Sequence, residues 1–272
     1  INVLCYSLLG WTDIFFVGIF DTTSGIGIYR ACIQAIVIVD LGWNGFAVAN
    51  AHIFPPLLVS GKERELDEAY GTICRLVAAM GVALFVVFML HAKDLLSILG
   101  PAFVVGATPL VILALAAMVR VSCATGALLL ILAERQNLET VNGVATCALN
   151  ALLCYILIPR YGLPGAATAT VRSMGAISIA RIVEVRLRLG VRTHFARAAI
   201  ALSASAALGF AIAGLPWQSS TSMRIVHFAA TTLACGAVFW YVALTRRDRA
   251  IFLDIVRRKR IHLDRAEANG TS

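Results

Sequence analysis

Charge is scarce in this sequence. Lys, Arg, Asp and Glu make up 14% of its 272 residues, against roughly 25% in a typical soluble domain. Apolar residues account for 60%, and the mean hydropathy is +0.84. These values exclude a soluble globular fold, a disordered chain and a nucleic-acid-binding module. The chain also lacks a CxxC pair or a Cys/His cluster. Its seven cysteines all lie in or beside apolar stretches, and read as small buried hydrophobes rather than staples or metal ligands. No HExxH, GxSxG, Walker A or aspartate-rich diphosphate motif occurs, so no enzyme activity, cofactor or metal is expected. With Ile1 in first place and no signal-peptide pattern, the chain reads as a fragment or a processed product.

What remains is apolar sequence in long runs. A bilayer core needs about 20 predominantly apolar residues per helix, and eight stretches qualify. They are 1–20, 25–54, 72–92, 107–133, 138–158, 162–183, 198–215 and 223–245. The expected fold is therefore an all-α integral membrane bundle of eight transmembrane helices. Short breaks separate the spans: DTTSG at 21–25, Pro55-Pro56, SGKERELDE at 60–68, LGP at 99–101, ERQN at 134–137 and PRYG at 159–162. None is long enough for a soluble domain, so any function lies within the bundle. The acidic run Glu63, Glu65, Asp67 and Glu68 beside Lys62 and Arg64 reads as a solvated helix start.

Orientation follows from the basic residues. With the C-terminus cytoplasmic, sixteen of the 23 Lys and Arg fall on the inner side, three on the outer side and four within helices. That bias fits the positive-inside rule and an even number of spans. The net charge of +8 is then mostly a cytoplasmic anchor. The tail at 246–272 adds an apolar face of Ile251, Phe252, Ile255 and Val256 set among arginines. It is expected to lie on anionic lipid headgroups, each basic residue contributing about 1 kcal/mol.

Ionisable residues inside spans are the candidate sites, because each costs at least ~2.5–3.5 kcal/mol at mid-bilayer. Asp13 and Arg30 lie on neighbouring helices joined by a tight link. They either neutralise one another as an ion pair, or Arg30 faces a wet cavity with Asp13 holding its orientation. Asp40, Arg120 and Arg172 fall near the midplane of their helices. Two positives to one acid suit a water-filled cavity for an anion, with an internal network bridged by Asp40 as the alternative. Arg181, one turn from the cytoplasmic side, can snorkel. His227 reads as interfacial, and His52 is equivocal. Asn142 and Asn150, eight residues apart, share a helix face and read as interhelical hydrogen-bonding groups, with GAATAT at 165–170 as a close-packing surface.

DIFFVGIF and GIGIYRA (13–31), FPPLLVSGKERELDEAY (54–70), LLSILGPAF (95–103) and especially N-x7-N-x7-IPRYGLPGAATAT (142–170) resemble the polysaccharide flippases. These are the Wzx-type members of the superfamily that includes MATE drug exporters and the lipid II flippase. The resemblance covers about residues 1–185. It implies a MATE-like second lobe (1–185, spans seven to twelve of a longer protein), two extra C-terminal helices (186–245) and the basic amphipathic tail. It further implies a multi-pass protein of the bacterial cytoplasmic membrane, moving an undecaprenyl-diphosphate-linked oligosaccharide by alternating access. Other polysaccharide-assembly membrane proteins are implied as partners, and nucleic acid is not. Arg30 matches the family's basic position on the eighth span and Asp13 its acidic residue on the seventh. Arg120, Arg172 and Asp40 stand on depth alone. Two other functions remain open at this point. A cation-coupled drug exporter would favour carboxylates over arginines in its cavity, and a membrane polymerase or ligase would need a large external loop.

Overall fold

A computed structural model describes residues 2–191, 229–234 and 236–237, and among these it is all-helical, with no strand. The helices are α1 (Asn2–Phe20), α2 (Thr23–Asn50), α3 (Phe54–Val59), α4 (Glu63–Ser97), α5 (Ala107–Leu132) and α6 (Gln136–Leu189). Short 3-10 segments, Ala51–Ile53 and Pro101–Gly106, lead into α3 and α5. Among the described residues three helices are long and apolar enough to cross a membrane: Glu63–Ser97, Pro101–Leu132 and Gln136–Leu189. The expected spans at 198–215 and, for the most part, 223–245 lie outside the described residues, as do the tail and His227.

The links follow local chemistry. Between α1 and α2, Gly25 N–H donates to Thr22 Oγ1 at 3.2 Å, so Thr22 caps α2 at its N-terminus. Pro55 and Pro56 do not stop the helical path. They occupy the first turn of α3, where a missing N–H costs nothing. After α5 the chain reverses with Glu134 in the left-handed region (φ 60°). Arg135 N–H donates to Leu130 O at 2.9 Å and Glu134 N–H to Ile131 O at 3.1 Å, the two bonds of a Schellman ending with glutamate where glycine is usual. The acidic run beside Lys62 is a solvated helix start, as its composition predicts. Lys62 pairs with Glu65 at 2.9 Å and Arg64 with Glu68 at 3.6 Å, each worth about 0.3–0.5 kcal/mol.

The 54-residue α6 is a hairpin. Gly162 adopts φ 59°, ψ −137°, between Pro159 and Pro164, and folds the chain back on itself. The pairing is antiparallel: Glu139 meets Arg181, Asn142 meets Glu184, and Asn150 meets Ser173. This matches the break expected at 159–162 between two apolar stretches. Gly165 makes the close approach possible. A Cβ there would sit 2.8 Å from the carbonyl carbon of Leu157. We expect Gly165→Ala to spread the arms at a cost of about 1–3 kcal/mol. A fall in melting temperature in detergent checks this, and melting at the wild-type temperature would refute it.

The core runs along the junctions of α1, α2, α4, α5 and both arms of α6, and includes Val17, Tyr29, Leu66, Leu110, Leu129, Cys154 and Ala166. The reversal after α1 and the bend of α6 lie at the same end, with Gly162 close to the Asp21 carboxylate. Among the described cysteines none is bridged, and Cys32, Cys74, Cys123 and Cys154 are buried, as their apolar neighbours imply. His91 of α4 and Thr231 are hydrogen-bonded at 2.7 Å, which ties the short described helix at 229–234 to α4.

Candidate functional site

The polar centre of the bundle is Asp13. It is 4% exposed, and its carboxylate collects donors from three helices. Tyr29 Oη of α2 donates to Oδ2 at 3.2 Å, and Thr170 Oγ1 of the second α6 arm donates to Oδ2 at 2.7 Å. From the first arm, Asn150 Nδ2 donates to Oδ1, and Cys154 Sγ contributes a weak bond at 3.5 Å. Ser173 Oγ donates to Asn150 Oδ1 at 3.1 Å, which turns the amide nitrogen of Asn150 toward Asp13. All these donors are neutral. The arrangement can therefore hold a carboxylate, a proton on it, or a small monovalent cation, since the Thr, Tyr and Asn groups each carry an oxygen as well as a donor.

The ion pair considered between Asp13 and Arg30 does not form. Tyr29 takes the inward position on α2, and its neighbour Arg30 emerges on the exposed surface. The Arg30 guanidinium lies 5.9 Å from the centre of the Trp11 ring, whose own residue is 60% exposed. The helical repeat accounts for this, because adjacent residues project about 100° apart. One side of the α1–α2 hairpin thus buries Asp13 and Tyr29, and another displays Trp11 and Arg30.

Arg172 is also exposed, on the second arm of α6, and Arg120 is half-buried on α5. Their levels can be read from contacts. Arg172 is two residues from Thr170, which bonds Asp13, so it lies about 3 Å along the axis from the Asp13 level. It is therefore level with Asp13 and Arg30 along the bundle. Gly126 of α5 lies against Arg181 and Val185. Counting back six residues along α5 places Arg120 about 9 Å toward the Arg172 level. The three arginines thus fall within a narrow band of depth. The side chain of Asp40 lies outside the described residues. His52 is exposed in the 3-10 segment.

Arg181 corrects the expectation that it snorkels. It is 3% exposed, and its Nε donates to Glu139 Oε2 at 3.2 Å, with a second bond from Nη2 to Glu139 Oε1. Glu139 itself is 1% exposed. A lone basic residue one turn from the interface would reach for water, but the antiparallel hairpin places a carboxylate beside it. Next along the same seam, Asn142 Nδ2 donates to Glu184 Oε2 at 2.7 Å. Glu139 is disguised in the sequence because it adjoins the polar link at 134–137. Tyr29, Cys154 and Ser173 carry no sequence signal of their own, whereas the Asn142/Asn150 face and the GAATAT stripe with Thr170 did mark the seam.

The chain matches no protein-family model, and no curated protein is significantly similar to it.

Proposed function

We propose that this chain is the second lobe, with the final helix pair, of a flippase of the bacterial cytoplasmic membrane. It would span that membrane eight times with a cytoplasmic C-terminus and move an undecaprenyl-diphosphate-linked oligosaccharide by alternating access. The observation that carries this reading is the split face of the α1–α2 hairpin. Arg30 is exposed at the level of a buried carboxylate that it does not pair with, and so its charge is open to an anion. Arg172 lies at the same depth, and Arg120 about one turn further in. The diphosphate of the lipid would be drawn to these arginines. Asp13, set among neutral donors joining α1, α2 and α6, would be the coupling residue that responds to a proton or a monovalent cation.

The resemblance of residues 142–170 to the polysaccharide flippases supports the same reading. Exposed arginines beside a sequestered carboxylate favour an anionic substrate over the cationic drugs of a related exporter. In the full-length protein, Arg30→Gln is expected to abolish surface-polysaccharide export while the amount of protein in the membrane stays unchanged. Export at the wild-type level would remove Arg30 from this role.

A further inference from the structure

Each arm of α6, from Gln136 to Gly162 and from Gly162 to Leu189, is about 40 Å long by helical rise. A hydrocarbon core is ~30 Å thick, so the two ends of this hairpin reach the headgroup layers. At the open end, opposite the Gly162 bend, Gly190 adopts φ 68° and stops the second arm, and Val191 turns back into the core. The pairing of Glu139 with Arg181 and of Asn142 with Glu184 fixes which residues meet there. Arg135, just ahead of the first arm, is brought level with Arg186 and Arg188 in the last turn of the second.

All three arginines are exposed, and the carboxylates of the hairpin do not answer them. Glu139 and Glu184 are turned into the seam, onto Arg181 and Asn142. The acidic run that opens α4 is separated from α6 by α5 and pairs with Lys62 and Arg64. Among the described residues none of the three arginines is in an ion pair, and Glu134 is the exposed acid beside them. Toward the bilayer centre, Val183 and Leu187 are 46% and 76% exposed and lie one turn apart on one face. Arg186, three residues on from Val183, borders that face. A free phosphate has no use for an apolar strip leading from the arginines into hydrocarbon, whereas a lipid fits both.

We propose that the open end of the α6 hairpin binds an anionic phospholipid. Arg186 and Arg188, with Arg135 beside them, hold its phosphate through charge-assisted hydrogen bonds, and Val183 and Leu187 take the start of an acyl chain. Basic clusters at the cytoplasmic ends of transmembrane helices recognise anionic headgroups in this way. The bend at the other end carries Arg160 alone, so by the positive-inside rule the open end is the cytoplasmic one. The site is separate from the tail at 246–272, and it goes beyond the flippase reading because it stands whatever the protein transports.

The test uses the full-length protein in detergent, with phosphatidylglycerol and phosphatidylcholine of the same acyl chains as probes and native mass spectrometry as the readout. Wild-type protein should retain phosphatidylglycerol in preference. Each of Arg135→Gln, Arg186→Gln and Arg188→Gln should weaken that binding about fivefold, the scale of one basic residue at an anionic surface, and leave phosphatidylcholine within twofold. Leu187→Gln should weaken both lipids, since it removes a chain contact. An excess of inorganic phosphate should leave the lipid bound; displacement would show that the arginines hold a free phosphate and would overturn the proposal. A photoactivatable phosphatidylglycerol should label the segment 183–188. Label confined to the tail, or phosphatidylglycerol bound as tightly by all three arginine variants as by the wild type, overturns the site and leaves the flippase reading untouched.

Discussion

Asp13→Asn is expected to stop translocation while leaving the protein folded, and Asp13→Leu to lower its melting temperature. The difference lies in what each substitution does to the donors around the site. An asparagine keeps an oxygen for Asn150 Nδ2, and the Tyr29 and Thr170 hydroxyls can rotate to accept from its new amide protons. The hydrogen bonds survive in altered form, but the group that binds a proton or a cation is gone. A leucine deprives the buried Tyr29 and Asn150 donors of the Asp13 carboxylate, at about 1–3 kcal/mol each, while Thr170 Oγ1 keeps Ala166 O at 3.2 Å. Interhelical hydrogen bonds in membranes average nearer 0.6 kcal/mol, so the lower end of that range is the safer expectation. Melting curves in detergent, together with export measured in cells, separate the two outcomes. Wild-type export by Asp13→Asn would exclude Asp13 as the coupling residue.

The Glu139–Arg181 pair sets the second large effect. Glu139→Ala removes the hydrogen-bonded carboxylate of Arg181, which is 3% exposed, and leaves Glu184 as an acidic neighbour; breaking a buried pair costs about 3–5 kcal/mol, and the lower end is expected here. The melting temperature should fall by roughly 10 °C, taking about 2–4 °C per kcal/mol for a domain of this size. Replacing both residues, Glu139→Met with Arg181→Met, removes the guanidinium as well and should recover most or all of the loss. The neighbouring Asn142–Glu184 bond is left in place by both variants. It keeps the arms in register, so the comparison reads the buried charges together with their interaction with Glu184. If Glu139→Ala melts with the wild type, the pair contributes nothing to stability.

Several elements were legible before any coordinates. The apolar runs at 107–133, 138–158 and 162–183 lie within helices close to those bounds because twenty apolar residues in a row have few other ways to satisfy their backbones. The break at 159–162 is real because Gly162 can adopt a positive φ between two prolines. The shared face of Asn142 and Asn150 follows from the helical repeat, and both do bond across to other helices.

The pairing of charges was not legible. Asp13 and Arg30 are close in sequence and level in depth, and simple attraction would join them. The rotation of α2 instead turns Tyr29 inward and Arg30 outward. Arg181 and Glu139 are 42 residues apart, and each by itself reads as an interfacial residue able to reach water. Only the antiparallel closure of α6 makes them neighbours. Sequence by itself determined that the described residues form long apolar helices with a few charges set within them. It did so because hydrophobicity and helical period are local properties. Which of those charges are paired, which are exposed, and which carboxylate is ringed by neutral donors was decided only by how the helices rotate and pack, since those contacts join residues that no local rule connects.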